Sequence, residues 1–306
     1  MGGVLEVRDI HVNYGATQAL RGVSFEAHEG AVGLLGPNGA GKSTLIMALL
    51  NLVPLSSGSF TLFGQQSGNL GAALRDSVGY VPESQGIRSG MSGVAWVALL
   101  GEVSGLPRQA AVERAHETLQ YVGLGEARYR EAQTYSTGMQ QRLKLAAALV
   151  HDPKLVLLDE PTAGMVPTGR DEMLDLCRDL VKQGKTLLFS THILKDVEAV
   201  CSQVVILHKG RVVASSGLQD LTRSQAQHFL VQWEGRREEF VAACEKAGWQ
   251  AGDGQNNLVK VVLPMGTEPK DIFSMASKLD GSIHRFVREQ TSLEEVFLEA
   301  LAKESA

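Results

Sequence analysis

The sequence predicts an α/β protein: a mainly parallel sheet, an antiparallel patch of strands near its start, an inserted helical subdomain and a small α+β unit at the end. Three observations carry that expectation. Short strand-like runs (VLEVRDIHV, VSFEAH, AVGLLG, SFTLFG, VGYVP) alternate with longer stretches of helical period. Leu155, Val156, Leu157 and Leu158 form an unbroken branched run, as in a strand covered on both faces in the middle of a parallel sheet. Past Gly217 the rhythm shortens and the charge density rises, with QWEGRREEF opening a new unit.

Between these landmarks, residues 91–151 offer helical stretches at about 91–104, 108–122 and 138–151, punctuated by Gly101, Gly105, Gly123 and Gly125. This places a helical subdomain at about 88–152 within a first domain of residues 1–222. The sheet resumes with LVLLDE, TLLFSTH and VVILH, and Lys209-Gly210 turns the last run into its partner RVVAS. Residues 228–306 read as strand, helix, hairpin, helix, strand, helix: HFLVQWEG, REEFVAACEKAG, LVKVVLP with a partner near Trp249, DIFSMASKL, SIHRFVRE and SLEEVFLEALA. An α+β accessory domain of that size can fold on a larger body.

Bulk properties narrow the function. A length of 306 residues with 44% hydrophobic content suits a packed globular chain. A net charge of −5 gives no global attraction to nucleic acid or to an anionic membrane, so a polyanion needs a local site. Cys177, Cys201 and Cys244 show no metal-binding spacing and read as core residues of a reducing compartment. The N-terminus lacks the basic start and apolar core of a signal peptide. Residues 43–74 carry no charge, but Pro54 and Ser56-Ser57-Gly58-Ser59 interrupt them well short of the roughly 20 apolar residues of a span. A soluble cytoplasmic chain is expected.

Two motifs carry chemistry. Gly36, Pro37, Asn38, Gly39, Ala40, Gly41, Lys42 and Ser43 match the phosphate-binding loop G-x-x-x-x-G-K-[ST], after the strand AVGLL and before the helix KSTLIMALL. Its glycines let backbone N–H groups face phosphate oxygens, and the helix N-terminus adds a positive end. Lys42 is expected on the β- and γ-phosphates of ATP, Ser43 on Mg²⁺ and Thr44 on the α-phosphate. The second motif poses a question: Asp159 and Glu160 stand side by side at the end of a buried strand, which is unfavourable unless a cation shares the site. A metal and a base account for both. Asp159 would hold Mg²⁺ through water, and Glu160 would polarise the water that attacks the γ-phosphate.

A third element, YSTGMQQR (Tyr135 to Arg142), precedes a helix 23 residues ahead of Asp159, counted from Ser136. Thr137 and Gln140 fit a capping box there. Together the motifs resemble those of the ATP-binding cassette (ABC) transporter ATPases, whose signature reads close to LSGGQ, and the resemblance extends over residues 4–222. It implies cassettes paired head to tail as a homodimer, with Ser136 and Gly138 of one subunit closing over ATP on the other's loop, Gly36 to Thr44. It further implies that His192 contacts the γ-phosphate and that Tyr14 stacks on adenine. Two positions depart from the family pattern. Glu83 stands in GYVPES where a Gln is usual; a carboxylate still ligates Mg²⁺ but adds negative charge near the γ-phosphate. Val166 replaces the usual acid of the D-loop. Glu83, the Met-Gln-Gln-Arg signature and the appended domain resemble the subgroup that drives export permeases.

The expectation is therefore a P-loop ATPase, peripheral on the inner face of the cell membrane through a separate permease, with no nucleic-acid partner. Residues 84–104 are apolar enough to meet that permease, although Met91, Val94, Trp96 and Leu99 equally suit packing of the helical subdomain. A non-transport ABC ATPase and an ATP-closed regulatory module with little hydrolysis are the alternatives.

Overall fold

In the computed structural model, which describes residues 3–67, 76–84, 87, 90–222, 227–254, 258–264, 266–289 and 293–298, the chain opens on two long antiparallel strands. β1 (Leu5–Tyr14) pairs with β2 (Thr17–Ala27) and with β4 (Ser57–Leu62), which pairs in turn with β5 (Gln65–Gln66). VSFEAH is thus only the second half of β2. The first half, Thr17 to Gly22, lacks the alternation of a half-buried strand because most of its side chains are exposed or half-exposed.

The second sheet has the order β10-β9-β3-β8-β7-β6. β3 (Ala31–Leu35), β6 (Val78–Val81), β7 (Leu155–Asp159), β8 (Thr186–Thr191) and β9 (Gln203–His208) run parallel, and β10 (Arg211–Gly217) returns antiparallel to β9 through Lys209-Gly210. Every residue of β7 is buried, as the run of branched side chains requires. Leu155 and Leu157 join one core with Val32, Leu34, Leu45, Ile46 and the inner face of the antiparallel sheet. Helix α1 (Lys42–Leu49) is apolar over most of its surface because this core surrounds it.

Three helices make up the inserted subdomain: α2 (Gly93–Val103), α3 (Arg108–Tyr121) and α4 (Thr137–Leu149). Ser92 caps α2 by accepting from the Ala95 N–H at 3.3 Å. Trp96, Val97, Ala111, Ala115, Leu119 and Leu143 are buried, so Trp96 serves the packing of the subdomain. Met91, Val94 and Leu99 are half-buried, and Val103 is 72% exposed. Part of the 84–104 segment, residues 85, 86, 88 and 89, lies outside the described residues. Beyond it, α5 (Pro167–Lys182) and α6 (Leu194–Val200) follow β7 and β8.

The chain divides into two compact units, Met1–Leu218 and Gln219–Glu299, with α7 (Leu218–Thr222) at their boundary. The second unit runs β11 (Gln227–Gly235), α8 (Arg237–Lys246), β12 (Gln250–Asp253), β13 (Val259–Leu263), α9 (Lys270–Ala276) and β14 (Gly281–Glu289). Its sheet order, β12-β13-β11-β14 with antiparallel neighbours, is that of a β-α-β-β-α-β ferredoxin-like unit. Phe229, Val231, Val261 and Leu263 meet Phe240, Cys244 and Ile272 of the helices in its core. Residues 293–298 form a last helical turn, and the Lys260 ammonium reaches Glu295 at 3.1 Å. The rest of the expected C-terminal helix lies outside the described residues.

All three cysteines are free and buried. Burial pushes the Cys177 thiol up to about 12 and the Cys244 thiol to about 11, and raises Cys201 as well. The thiolate is the nucleophile, so none of them is reactive in the fold. Iodoacetamide at pH 8 is expected to leave the native protein unlabelled and to label all three cysteines in denaturant; mass spectrometry of both samples checks this.

Candidate functional site

The phosphate-binding loop leaves β3 and turns into α1 against two neighbouring strands. A Cβ on Gly36 would meet the Leu207 carbonyl oxygen of β9 at 2.3 Å, so only glycine fits there. Gly41, at φ +106°, lies against Ala19 and Leu20 of β2 and precedes the first helical residue, Lys42. The Lys42 ammonium folds back over the loop and donates to the carbonyls of Gly36 at 2.7 Å and Pro37 at 3.3 Å. It also lies 3.3 Å from Glu160 Oε1, and both side chains are nearly fully buried.

Sheet register explains that meeting. β8 lies between β3 and β7, with Leu35 opposite Thr191 and Asp159 opposite Ser190, so three strands end at one level. That carboxyl edge is where open α/β sheets place their ligands. At the end of β7, Asp159 accepts from the Ser190 hydroxyl at 2.9 Å. Glu160 then takes φ +48°, uncommon for a residue with a Cβ, and its N–H donates to the Ser190 carbonyl at 3.1 Å. This local twist sends adjacent acids to different partners, Asp159 to Ser190 and Glu160 to Lys42. His192, after β8, lies with Nδ1 3.0 and 3.1 Å from the two Glu160 oxygens. A carboxylate has no proton to give, so Nδ1 carries the hydrogen.

Lys42 and Glu160 face a cleft of about 500 Å³. Asn38, Gly39, Ala40, Gly41, Lys42, Ser43 and Thr44 line it together with Glu83 and Glu160. Asp159, His192, Gly36 and Pro37 are not in its lining: Asp159 accepts from Ser190, His192 lies at the Glu160 carboxylate, and Gly36 and Pro37 contribute carbonyls to Lys42. Tyr14, at the end of β1, is 48% exposed and lies outside the lining. Thr17, Gln18, Ala19, Arg21 and Lys209 complete the wall, and no motif announced them. They arrive through pairing: Arg21 N–H donates to the Gly210 carbonyl at 2.8 Å, and Gly210 N–H to the Ala40 carbonyl at 2.9 Å. The β9–β10 turn is thereby fastened between β2 and the loop.

Ser136 and Gly138 do not line this cleft. They sit at the start of α4, where Ser136, not Thr137, is the cap; its hydroxyl accepts from the Met139 N–H at 3.4 Å. The capping-box expectation is corrected accordingly. Counted from Ser136, the residue that should reach back is Met139, which has no suitable acceptor, and the Gln140 amide instead donates to the Tyr135 carbonyl at 3.1 Å. Asp196 was also not anticipated. Fully buried on α6, it accepts from the Thr162 hydroxyl at 2.7 Å and from Arg170 Nε at 2.6 Å, joining the segment after Glu160 to α5 and α6.

The donor set suits a hard cation. Ser43, Glu83 and Glu160 line one cleft, and Asp159 precedes Glu160 at the end of β7, so hydroxyl and carboxylate oxygens stand there without a soft ligand. Among the described residues, no cluster of three or more His, Cys, Asp or Glu could hold a metal by itself.

The sequence profile of the ABC transporter family matches residues 20–163. The uncharacterized ABC transporter ATP-binding protein YxlF of Bacillus subtilis (strain 168) is 34% identical over 301 residues, covering 97% of this chain and 99% of that protein. The linearmycin resistance ATP-binding protein LnrL of the same organism is 34% identical over 243 residues, 78% of each chain. A solved structure of an ATP-binding subunit of an ABC transporter superposes with a TM-score of 0.65 at 30% identity, over 72% of this chain and 92% of that one. The chain belongs to the ATP-binding proteins of the ABC transporter family, and its activity is that of an ATPase. Among the described residues no helix is long and apolar enough to cross a membrane.

A buried ammonium that loses its carboxylate, or the reverse, leaves an unpaired charge. Lys42→Ala is expected to lower the stability of the nucleotide-free protein by about 2 kcal/mol. Lys42→Ala combined with Glu160→Gln should cost less than the sum of the single changes. Urea unfolding of the three variants beside the parent checks the coupling.

Proposed function

We propose that two copies of this chain close head to tail around two Mg-ATP and that ATP hydrolysis in this dimer drives a separate membrane permease, in the direction of export. The observation that carries the reading is the meeting of Lys42, Glu160 and His192 at the edge of the cleft that Ser43 and Glu83 also line. Lys42 leaves its carbonyl partners for the β- and γ-phosphates. Ser43, Asp159 and Glu83 supply oxygens for Mg²⁺, which when bound neutralises phosphate charge. Backbone N–H groups from Gly36 to Thr44 cradle the phosphates, and Tyr14, exposed at the end of β1, stacks on adenine. Glu160 accepts the proton of the attacking water, and His192 holds that carboxylate in place and meets the γ-phosphate. Ser136 and Gly138, at the positive end of α4, complete the site of the opposite subunit.

The permease reading rests on a groove of about 340 Å³ between the helical subdomain and the sheet. Leu52, Tyr80, Leu100 and Val103 line it, and Leu52 and Val103 are 65% and 72% exposed. Apolar side chains so placed suit a cytoplasmic segment of a membrane partner. The chain would then sit in the cytoplasm against the inner face of the membrane. Export is supported by the likeness to the Nod factor export ATP-binding protein I of Cupriavidus pinatubonensis, 33% identical over 223 residues. Residues 228–306 regulate or steady the dimer and take no direct part in nucleotide binding.

Glu160→Gln is expected to keep ATP binding and to lose turnover by at least about a hundredfold, because the amide cannot accept the proton. The variant should accumulate as an ATP-bound dimer by size-exclusion chromatography; hydrolysis at the parent rate would show that Glu160 is not the base.

Val166, 67% exposed, occupies the cap position of α5 with no side-chain hydrogen bond. An acid there would add a charged hydrogen-bond partner across the dimer seam, a contact worth roughly 1.5–3 kcal/mol, or on the order of ten- to a hundredfold in rate if it forms only on closure. Slow basal hydrolysis with weak cooperativity is expected of the parent, and Val166→Asp should raise one or both. Rates against ATP concentration read this, with melting curves in parallel because the new acid also caps the helix. A fast, cooperative parent unimproved by the substitution contradicts the assignment.

A further inference from the structure

Lys144 lies in the middle of α4, among Leu143, Leu145, Ala146 and Ala147, all buried, and is itself only 6% exposed. Any apolar residue would suit that position at lower desolvation cost. The ammonium is retained with specific partners: it donates to the backbone carbonyl of Glu83 at 2.9 Å and of Pro82 at 3.3 Å. Burial lowers its pKa, and the Glu83 charge works against that shift. The neighbourhood is otherwise negative. Burial, then the charges of Asp159 and Glu83, push the Tyr80 phenol up to about 12.

Position connects this lysine to two places at once. It lines the apolar groove with Tyr80 and Leu100, and it lines a second, polar cavity of about 550 Å³ with Glu83, Gln140 and Gln141. Glu83 in turn lines the cleft of the phosphate-binding loop. Groove, Lys144, Glu83 and cleft therefore follow one another.

We infer that Lys144 is a positioning residue: its buried ammonium balances the Glu83 carboxylate and holds the Pro82–Glu83 backbone, so that the charge at the phosphate end of the cleft is set from helix α4. A carboxylate at position 83 brings a third negative charge beside Asp159 and Glu160, against a triphosphate that is itself anionic. The lysine offsets that charge from outside the cleft that Lys42 lines. This inference rests on the nucleotide-site reading above.

The test compares the full-length parent with Lys144→Met, Lys144→Arg, Glu83→Gln and the double variant Lys144→Met/Glu83→Gln. Equilibrium binding of ATP in EDTA and steady-state hydrolysis in Mg²⁺ are measured for each. Lys144→Met should weaken metal-free ATP binding and lower kcat, each by about tenfold, with Lys144→Arg close to the parent. The double variant should return to within about threefold of Glu83→Gln alone, because the charge that needed balancing is gone. Circular dichroism and melting confirm folding. Should the methionine variant fail to fold, Lys144→Gln, which keeps an N–H donor for the two carbonyls but no charge, takes its place in the same comparison. Lys144→Met as active as the parent, or a loss that Glu83→Gln does not relieve, overturns the inference. A parent that neither binds nor hydrolyses ATP overturns the site reading itself, and this inference with it.

Discussion

A single buried ammonium organises the active edge of this protein. Lys42 Nζ rests on the carbonyls of Gly36 and Pro37 and against Glu160. A cation out of water needs such partners, and they come from separate stretches of chain. The loop carbonyls follow β3 and the carboxylate follows β7, with β8 between them in the sheet. The pair forms only if β8 holds its neighbours in the observed register, and that register depends on the apolar runs that bury all three strands.

The remaining acids obey the same rule by other means. Asp159 takes the Ser190 hydroxyl, Glu160 takes Lys42 and His192, and Asp196 takes Thr162 and Arg170. Glu83 has Lys144 on its own backbone carbonyl. The carboxylates of Asp159, Glu160 and Asp196 are thus held from different elements, and the positive φ of Glu160 separates it from the acid beside it. Tyr14 and Val166, by contrast, are exposed, and Ser136 caps the start of α4.

How much of this was legible varies with how local the signal is. The loop Gly36 to Ser43 and the paired acids Asp159 and Glu160 stand out in the sequence because a glycine-spaced lysine and two acids after an apolar run are short-range patterns. The cap of α4 was off by one residue, since Ser136 and Thr137 both suit a cap and only the backbone angles of Ser136, φ −63° and ψ 162°, distinguish them. Trp96 illustrates a different difficulty: periodicity marks it as apolar, but whether it faces the subdomain interior or a partner depends on how α2 lies, and it is buried. Thr17, Arg21 and Lys209 carry no motif, and strand pairing alone brings them to the cleft.

By itself the sequence determined the fold class, much of the order of elements and the phosphate-loop motif between β3 and α1, because hydrophobic period and glycine spacing act over a few residues at a time. Tertiary structure decided which charges face each other. Lys42 and Glu160 are separated by more than a hundred residues of chain, and no local pattern encodes their contact. Lys144 shows the difference most plainly. In sequence it is one of several polar residues of α4, beside Gln140, Gln141 and Arg142, and nothing local marks it out. Once α4 packs beside β6, its ammonium meets the carbonyls of Pro82 and Glu83, because a buried charge in a closed core takes the nearest oxygen acceptors that the packing presents.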